Sequence, residues 1–168
     1  MAENRSKAGN FVDYVVSVSR VTKVTKGGKT FSFSALVVSG DQEGKVGIGL
    51  GKSREVSLAI AKATNQARQK LIQVTLRGTT IPYDVKGQHG ASNVIIRPAY
   101  KGTGVIAGGA VRKVMEAAGV KDVLTKSLGS SNPKNVAKAT LNAFAQLRSV
   151  ADLARLRGKT REELVGGK

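Results

Sequence analysis

The sequence has no cysteine and no tryptophan, a single histidine, and only three Tyr and four Phe. Without cysteine there are no disulfides, no thiolate nucleophiles and no thiolate metal sites, an absence that agrees with a reducing cytosol. His89 alone cannot build a multi-histidine metal site. The 11 Asp and Glu are scattered, so paired-carboxylate catalysis has no support. No apolar run approaches the roughly 20 residues that span a bilayer, and the opening MAENRSKAGN lacks the apolar centre of a signal peptide. The expectation is a cytoplasmic, soluble chain. With aromatics so few, and largely at strand-alternation positions, there is little from which to build a stacking platform for single strands.

What the chain has in excess is positive charge: 28 Lys and Arg give a formal net charge of +17. That is far beyond what solubility needs and points to a polyanionic partner, nucleic acid first. The surplus is shared by both halves, so the folded body itself is basic. An anionic membrane surface also attracts charge, but no segment pairs a broad apolar helix face with a lysine face. At 168 residues the chain is long enough for one domain or two small ones.

Along the chain, Met1 to Asn10 is polar and small, as termini that order only against a partner are. Val12, Tyr14, Val16 and Val18 alternate with Asp13, Ser17 and Ser19, the pattern of a strand. KGGK at 26–29 reverses the chain, and Phe31, Phe33, Ala35 and Val37 fall on one face of a second strand, making a hairpin with a basic tip. KVGIGLGK forms a third strand with Val46, Ile48 and Leu50 inside. Its other face, Gly47, Gly49 and Gly51, is bare enough for close approach. A helix with Ser53 as N-cap and Val56, Ala59, Ile60, Ala63, Ala67 and Leu71 at helical spacing completes a first module, which ends near 74–82 at Pro82. A second module reads as short strands at 83–86 and 93–97, a helix at 109–118 closed by Gly119, and a strand within 120–129. A helix launched by Asn132 and Pro133 follows, then a short one from a Ser149/Asp152 capping box to Gly158.

Three features invite a chemical reading. Gly102, Gly104 and Ala107 match the G-x-G-x-x-A dinucleotide fingerprint, and Asp122 lies at about the spacing of its ribose-binding acid. The context opposes it: loop residues separate the motif from the strand before it, and Asp122 begins the next strand instead of ending one. The alternative is a loop that needs glycine for close packing, leading into a helix whose Arg112 and Lys113 are either solvated or reach an anion across an interface. His89, between Gly87 and Gly90, has no base or nucleophile patterned beside it. Finally, Arg20, Lys23, Lys26 and Lys29 sit on a narrow projecting hairpin, which suits insertion among phosphates and recognition of folded RNA by shape.

The segments KGGKTFSFSALVVSGDQEGKVGIGLGKSREV, GTTIPYDVKGQHGASNV and PAYKGTGVIAGGAVRKVMEAAGVKDVLTKSLGSSNPKNVAKAT, with RGKTREEL near the end, follow one another in family order. On them the chain resembles the bacterial small-subunit ribosomal protein S-five family. The resemblance implies an α+β fold of two small modules. The first, 11–74, is like a double-stranded-RNA-binding domain with a three-stranded antiparallel sheet and one helix; the second, 83–158, is a βαβα sandwich with a left-handed crossover. A linker at 75–82 joins them, and tails occupy 1–10 and 159–168. It further implies a non-enzymatic protein without cofactor, metal or small-molecule substrate. Its implied partners are small-subunit rRNA, ribosomal proteins S-four and S-eight, and mRNA near the entrance, with the spectinomycin site nearby. Its implied work is to steady head against body and share in translational accuracy. Carried over by position, the rRNA-binding residues are Arg20, Lys23, Lys26, Gly27, Gly28, Lys29, Lys52 and Arg54. Those facing S-four are Gly102, Gly104, Gly108, Gly109 and Arg112. The chain departs from the family pattern at Ile48 and Leu50, where aromatics are common, at Ser92 in place of a glycine, and at Lys134 in place of an apolar residue.

Overall fold

In the computed structural model, which describes residues 11–160 and 163–164, the alternating segment after Phe11 becomes a long strand, β1 (Val12–Thr25), paired antiparallel with β2 (Gly28–Gly40). The expected tail at 1–10 and part of the one at 159–168 lie outside the described residues. Val16 is an extra residue in β1: Val15 faces Val37 and Ser17 faces Leu36, so a bulge ends the simple alternation there. β3 (Lys45–Ser53) pairs with β2, and a two-residue β4 (Ile72–Gln73) adds to its free edge, so the sheet has the order β1-β2-β3-β4. The expected three strands become four because the chain, on leaving the helix, runs back beside Val46 and Lys45.

Small residues set the distance between this sheet and α1 (Val56–Gln69). Ala59, Ala63 and Ala67 lie on the buried stripe of the helix, and a Cβ added at Gly51, Gly49 or Gly47 would overlap their respective carbonyl oxygens. The bare face of β3 is therefore covered by the chain's own helix. Ser53 is not the N-cap. It is held in β3 by pairing with Phe33, and the cap position falls to Glu55, which makes no side-chain capping bond.

The second sheet has the order β5-β6-β8-β7, from β5 (Val85–His89), β6 (Ser92–Pro98), β7 (Val105–Ile106) and β8 (Val123–Gly129). β7 and β8 run parallel and are connected through α2 (Gly109–Ala118); the other pairings are antiparallel. α2 stops where Gly119 takes φ 84°, and α3 (Pro133–Gln146) begins with the Asn132 side chain accepting from Lys134 N. A Ser149/Asp152 capping box opens α4 (Val150–Arg157).

The two sheets share one core. Val38 and Val46 of the first pack in the same cluster as Val94, Ile96, Val111, Met115 and Phe144 of the second. The β2–β3 turn docks on the end of α2, with Gln42 N donating to Ala117 O (3.0 Å) and Gly44 N to Ala118 O (3.1 Å). Residues of the expected linker are themselves packed. Ile81 is fully buried, and the Thr79 carbonyl accepts from Lys121 N and Asp122 N at 2.9 and 3.1 Å. Burying these backbone groups with their partners fixes the two halves against each other.

Candidate nucleic-acid and protein interface

β3 reaches only as far as Phe33 of β2, so beyond that point β1 and β2 continue as a free two-stranded arm. Every residue from Val18 to Phe31 is exposed. Cross-strand pairs share a face, and the register alternates Arg20/Phe33, Thr22/Phe31 and Val24/Lys29 with Val21/Ser32 and Lys23/Thr30. Arg20 and Lys29 thus lie on one face, Lys23 on the other, and Lys26 at the tip beside Gly27 and Gly28. Gly28 has φ 134°, which a side chain disfavours. The Arg20 guanidinium lies 4.8 Å from the centroid of the Phe31 ring, a cation–π contact that restrains it on the arm. Lys52 and Arg54, both exposed, stand at the root: Lys52 pairs with Ser34, and Phe33 is flanked by Arg20 and Ser53. All eight sequence-predicted residues of this group come together on one projection and its base.

A two-stranded ribbon without a partner is marginally stable at best, and past the sheet this one has no fully buried residue. Among the described residues there are two ion pairs, Arg68–Asp13 (2.7 Å) and Arg97–Asp84 (3.2 Å), and neither involves the arm. Its cations face solvent on both sides and at the tip.

The stretch from Gly102 to Lys113 is a loop, a short strand and a helix start. β7 falls inside the fingerprint instead of before it, so no strand leads into the first glycine. Asp122 is consumed internally: its Oδ1 accepts from Gly102 N (2.9 Å) and Gly104 N (3.1 Å). A hydrogen bond from the Thr79 side chain and those from the two glycine amides hold this carboxylate below the ordinary Asp range, against the opposing effect of desolvation. The residue at ribose-acid spacing is thus the clasp of the loop. Gly102 and Gly104 have φ 97° and 76°, so glycine is required there by backbone conformation. Gly108 and Gly109 are different: neither has positive φ, and an added Cβ would meet nothing within 4 Å. Among the described residues neither backbone conformation nor a close contact demands glycine at these two positions; Gly108 is the N-cap of α2, where glycine is one of several favoured residues. Arg112, one turn into α2, is exposed and makes no ion pair among the described residues. Lys113 donates from Nζ to the Val15 carbonyl beside the β1 bulge and so ties α2 to the first sheet.

Sequence reasoning missed Asp122 as a positioning residue and Lys113 as a cross-link between halves. The twenty-residue spacing exposed the first but suggested the wrong partner; nothing local marks the second. His89 ends β5 opposite Ser92 at the Gly90 turn, and its ring makes no hydrogen bond among the described residues. Three of the four departures, Ile48, Leu50 and Lys134, line a single cleft between the two halves.

A cationic ribbon and a side-chain-poor loop, carried on a basic α+β body, are the equipment of a structural RNA-binding protein. Residues 11–75 match the family model described as ribosomal protein S5, N-terminal domain, and residues 87–157 the one described as ribosomal protein S5, C-terminal domain. The chain is 52% identical over 166 residues to the small ribosomal subunit protein uS5 of Chromohalobacter salexigens, covering 99% of this chain and 100% of that protein. To the protein of the same name from Flavobacterium psychrophilum it is 55% identical over 155 residues (92% of this chain, 89% of the relative). To that of Lawsonia intracellularis it is 53% identical over 152 residues (90% and 93%). The chain belongs to the ribosomal protein S5 family, whose members are structural, non-enzymatic proteins of the small ribosomal subunit.

Proposed function

We propose that the chain works in the cytoplasm as an rRNA-anchored brace of the small subunit. Its arm, with Arg20, Lys23, Lys26, Lys29 and the glycines between them, holds rRNA phosphates, and Lys52 and Arg54 extend the contact at the root. The first unit, 11–74, acts like a double-stranded-RNA-binding module, 83–158 is the unit that meets other proteins, and 75–82 joins the two. Gly102, Gly104, Gly108, Gly109 and Arg112 face ribosomal protein S-four, with S-eight a second neighbour and mRNA passing near the entrance. By steadying head against body the chain contributes to translational accuracy.

The observation that carries this reading is the exposed ribbon with cations on both faces and no ion pair for them among the described residues. Supporting the protein interface is the pair Gly108 and Gly109, glycines that no strain or close contact among the described residues requires, one turn from an Arg112 that has no ion pair among them. The test is rebinding to small subunits depleted of this chain. Lys23→Ala/Lys26→Ala/Lys29→Ala should weaken rebinding and flatten its dependence on salt, by roughly 0.7–0.9 in log–log slope for each phosphate contact removed. Unchanged affinity and slope would contradict it.

A further inference from the structure

Between the two halves, away from the arm tip, lies a cleft of about 510 Å³, within the usual size range of ligand sites. Its floor is aliphatic, with Ile48, Leu50 and Leu141, and its rim carries Lys70, Lys134 and Lys138. All three lysines are exposed, none has an ion pair among the described residues, and no carboxylate lines the cleft. The floor is built to stay open. Leu50 N is satisfied by Gln66 Oε1 at 2.7 Å, so the backbone of β3 presents an apolar surface there without an orphaned donor.

We propose that this cleft receives one unpaired nucleotide of the bound RNA, its base laid on the Ile48/Leu50/Leu141 floor and its flanking phosphates held by Lys70, Lys134 and Lys138. An apolar floor ringed by one sign of charge fits a ligand that is flat and apolar in the middle and anionic at its edges, which is a nucleotide within a strand. Continuity favours a strand over a free nucleotide. Lys52 is two residues beyond Leu50 on the same face of β3, so the cleft lies in line with the root of the cationic arm. Aliphatic side chains hold the base by burial instead of stacking, which is why a count of aromatics does not reveal the site. The inference rests on the rRNA-binding reading above.

The experiment uses the full chain and small subunits depleted of it, rebuilt with rRNA carrying 4-thiouridine. Wild type should crosslink on irradiation through peptides containing Ile48, Leu50 or Leu141. Lys70→Ala/Lys134→Ala/Lys138→Ala, with unchanged melting, should raise the rebinding Kd about tenfold and lower the log–log salt slope by about 1.4, as expected for the two single-strand phosphates that flank one nucleotide. Normal rebinding of this variant, alongside weakened rebinding of the Lys23/Lys26/Lys29 variant, would overturn the cleft proposal and leave the rRNA reading standing. Crosslinks confined to residues outside the cleft would overturn it too, as would displacement of a bound acidic protein segment in place of RNA. Competition by millimolar adenosine monophosphate would assign the cleft to a free nucleotide and equally overturn it. Wild type that fails to rebind at all would instead bring down the underlying reading.

Discussion

One carboxylate oxygen of Asp122 accepts hydrogen bonds from the backbone amides of both Gly102 and Gly104, at 2.9 and 3.1 Å, and so holds the glycine loop from the strand it precedes. The folded-state pKa of this group is depressed, chiefly by Thr79 and then Gly104. Its stabilising effect is therefore complete above the unfolded value of about 3.9 and is lost as pH falls through the lower folded value. NMR of the Gly102 and Gly104 amides during acid titration should show a shared midpoint below the ordinary Asp value. A midpoint at or above it would contradict the clasp. Asp122→Ala should speed amide exchange at both glycines and lower the melting temperature, with α2 retained.

The β3–α1 packing predicts that glycines of one chain differ sharply in tolerance. Gly49→Val forces a branched side chain into the Ala63 carbonyl and should destabilise by about 1–3 kcal/mol or more. Gly108→Ala, at φ −67° with open space around it, gives up only a favoured N-cap residue and should cost no more than about 1 kcal/mol. Denaturant melts of both proteins check the contrast, and equal losses would mean that Gly108 packs within the chain.

Because Gly104 has φ 76°, Gly104→Arg carries a backbone cost of roughly 1–2 kcal/mol besides any effect at an interface. Gly108→Arg and Arg112→Leu are the cleaner probes, since neither position is strained or buried. Both variants should melt like wild type yet raise stop-codon readthrough in cells whose small subunits carry them. Normal fidelity in fully assembled subunits would refute the protein-interface role of this segment.

The fingerprint at Gly102, Gly104 and Ala107 should bind no dinucleotide. With β7 inside the motif and Asp122 bonded to the loop itself, neither the entering strand nor the free acid of such a site exists. Calorimetry with ATP, GTP and NAD should give no saturable heat at the loop, and one-to-one binding lost in Gly104→Val would contradict this.

Capping chemistry made part of the fold legible from sequence. Asn132 with Pro133, Gly119 after the apolar stripe, and Ser149 with Asp152 each fix a helix end by local bonds, and each is found where the residues say. Ser149→Ala should accordingly cost about 1 kcal/mol. Ser53 misled because a serine before a helical pattern signals a cap only if strand pairing does not claim it. β4 and β7, two residues each, exist through their partners Lys45–Val46 and Val123–Leu124 and carry no periodicity of their own. The arm was legible because its cations are neighbours in sequence. The cleft was not, because Lys70 and Lys134 meet only through the docking of the two halves.

The absence of native cysteine makes the central claim directly measurable, since Lys26→Cys at the exposed arm tip is a unique attachment point. Tethered iron–EDTA at this position, in reassembled small subunits, should cut the small-subunit rRNA at a few discrete sites once hydroxyl radicals are generated. Subunits that incorporate the labelled chain normally yet show no rRNA cleavage above that of untethered controls would contradict an arm seated among rRNA phosphates.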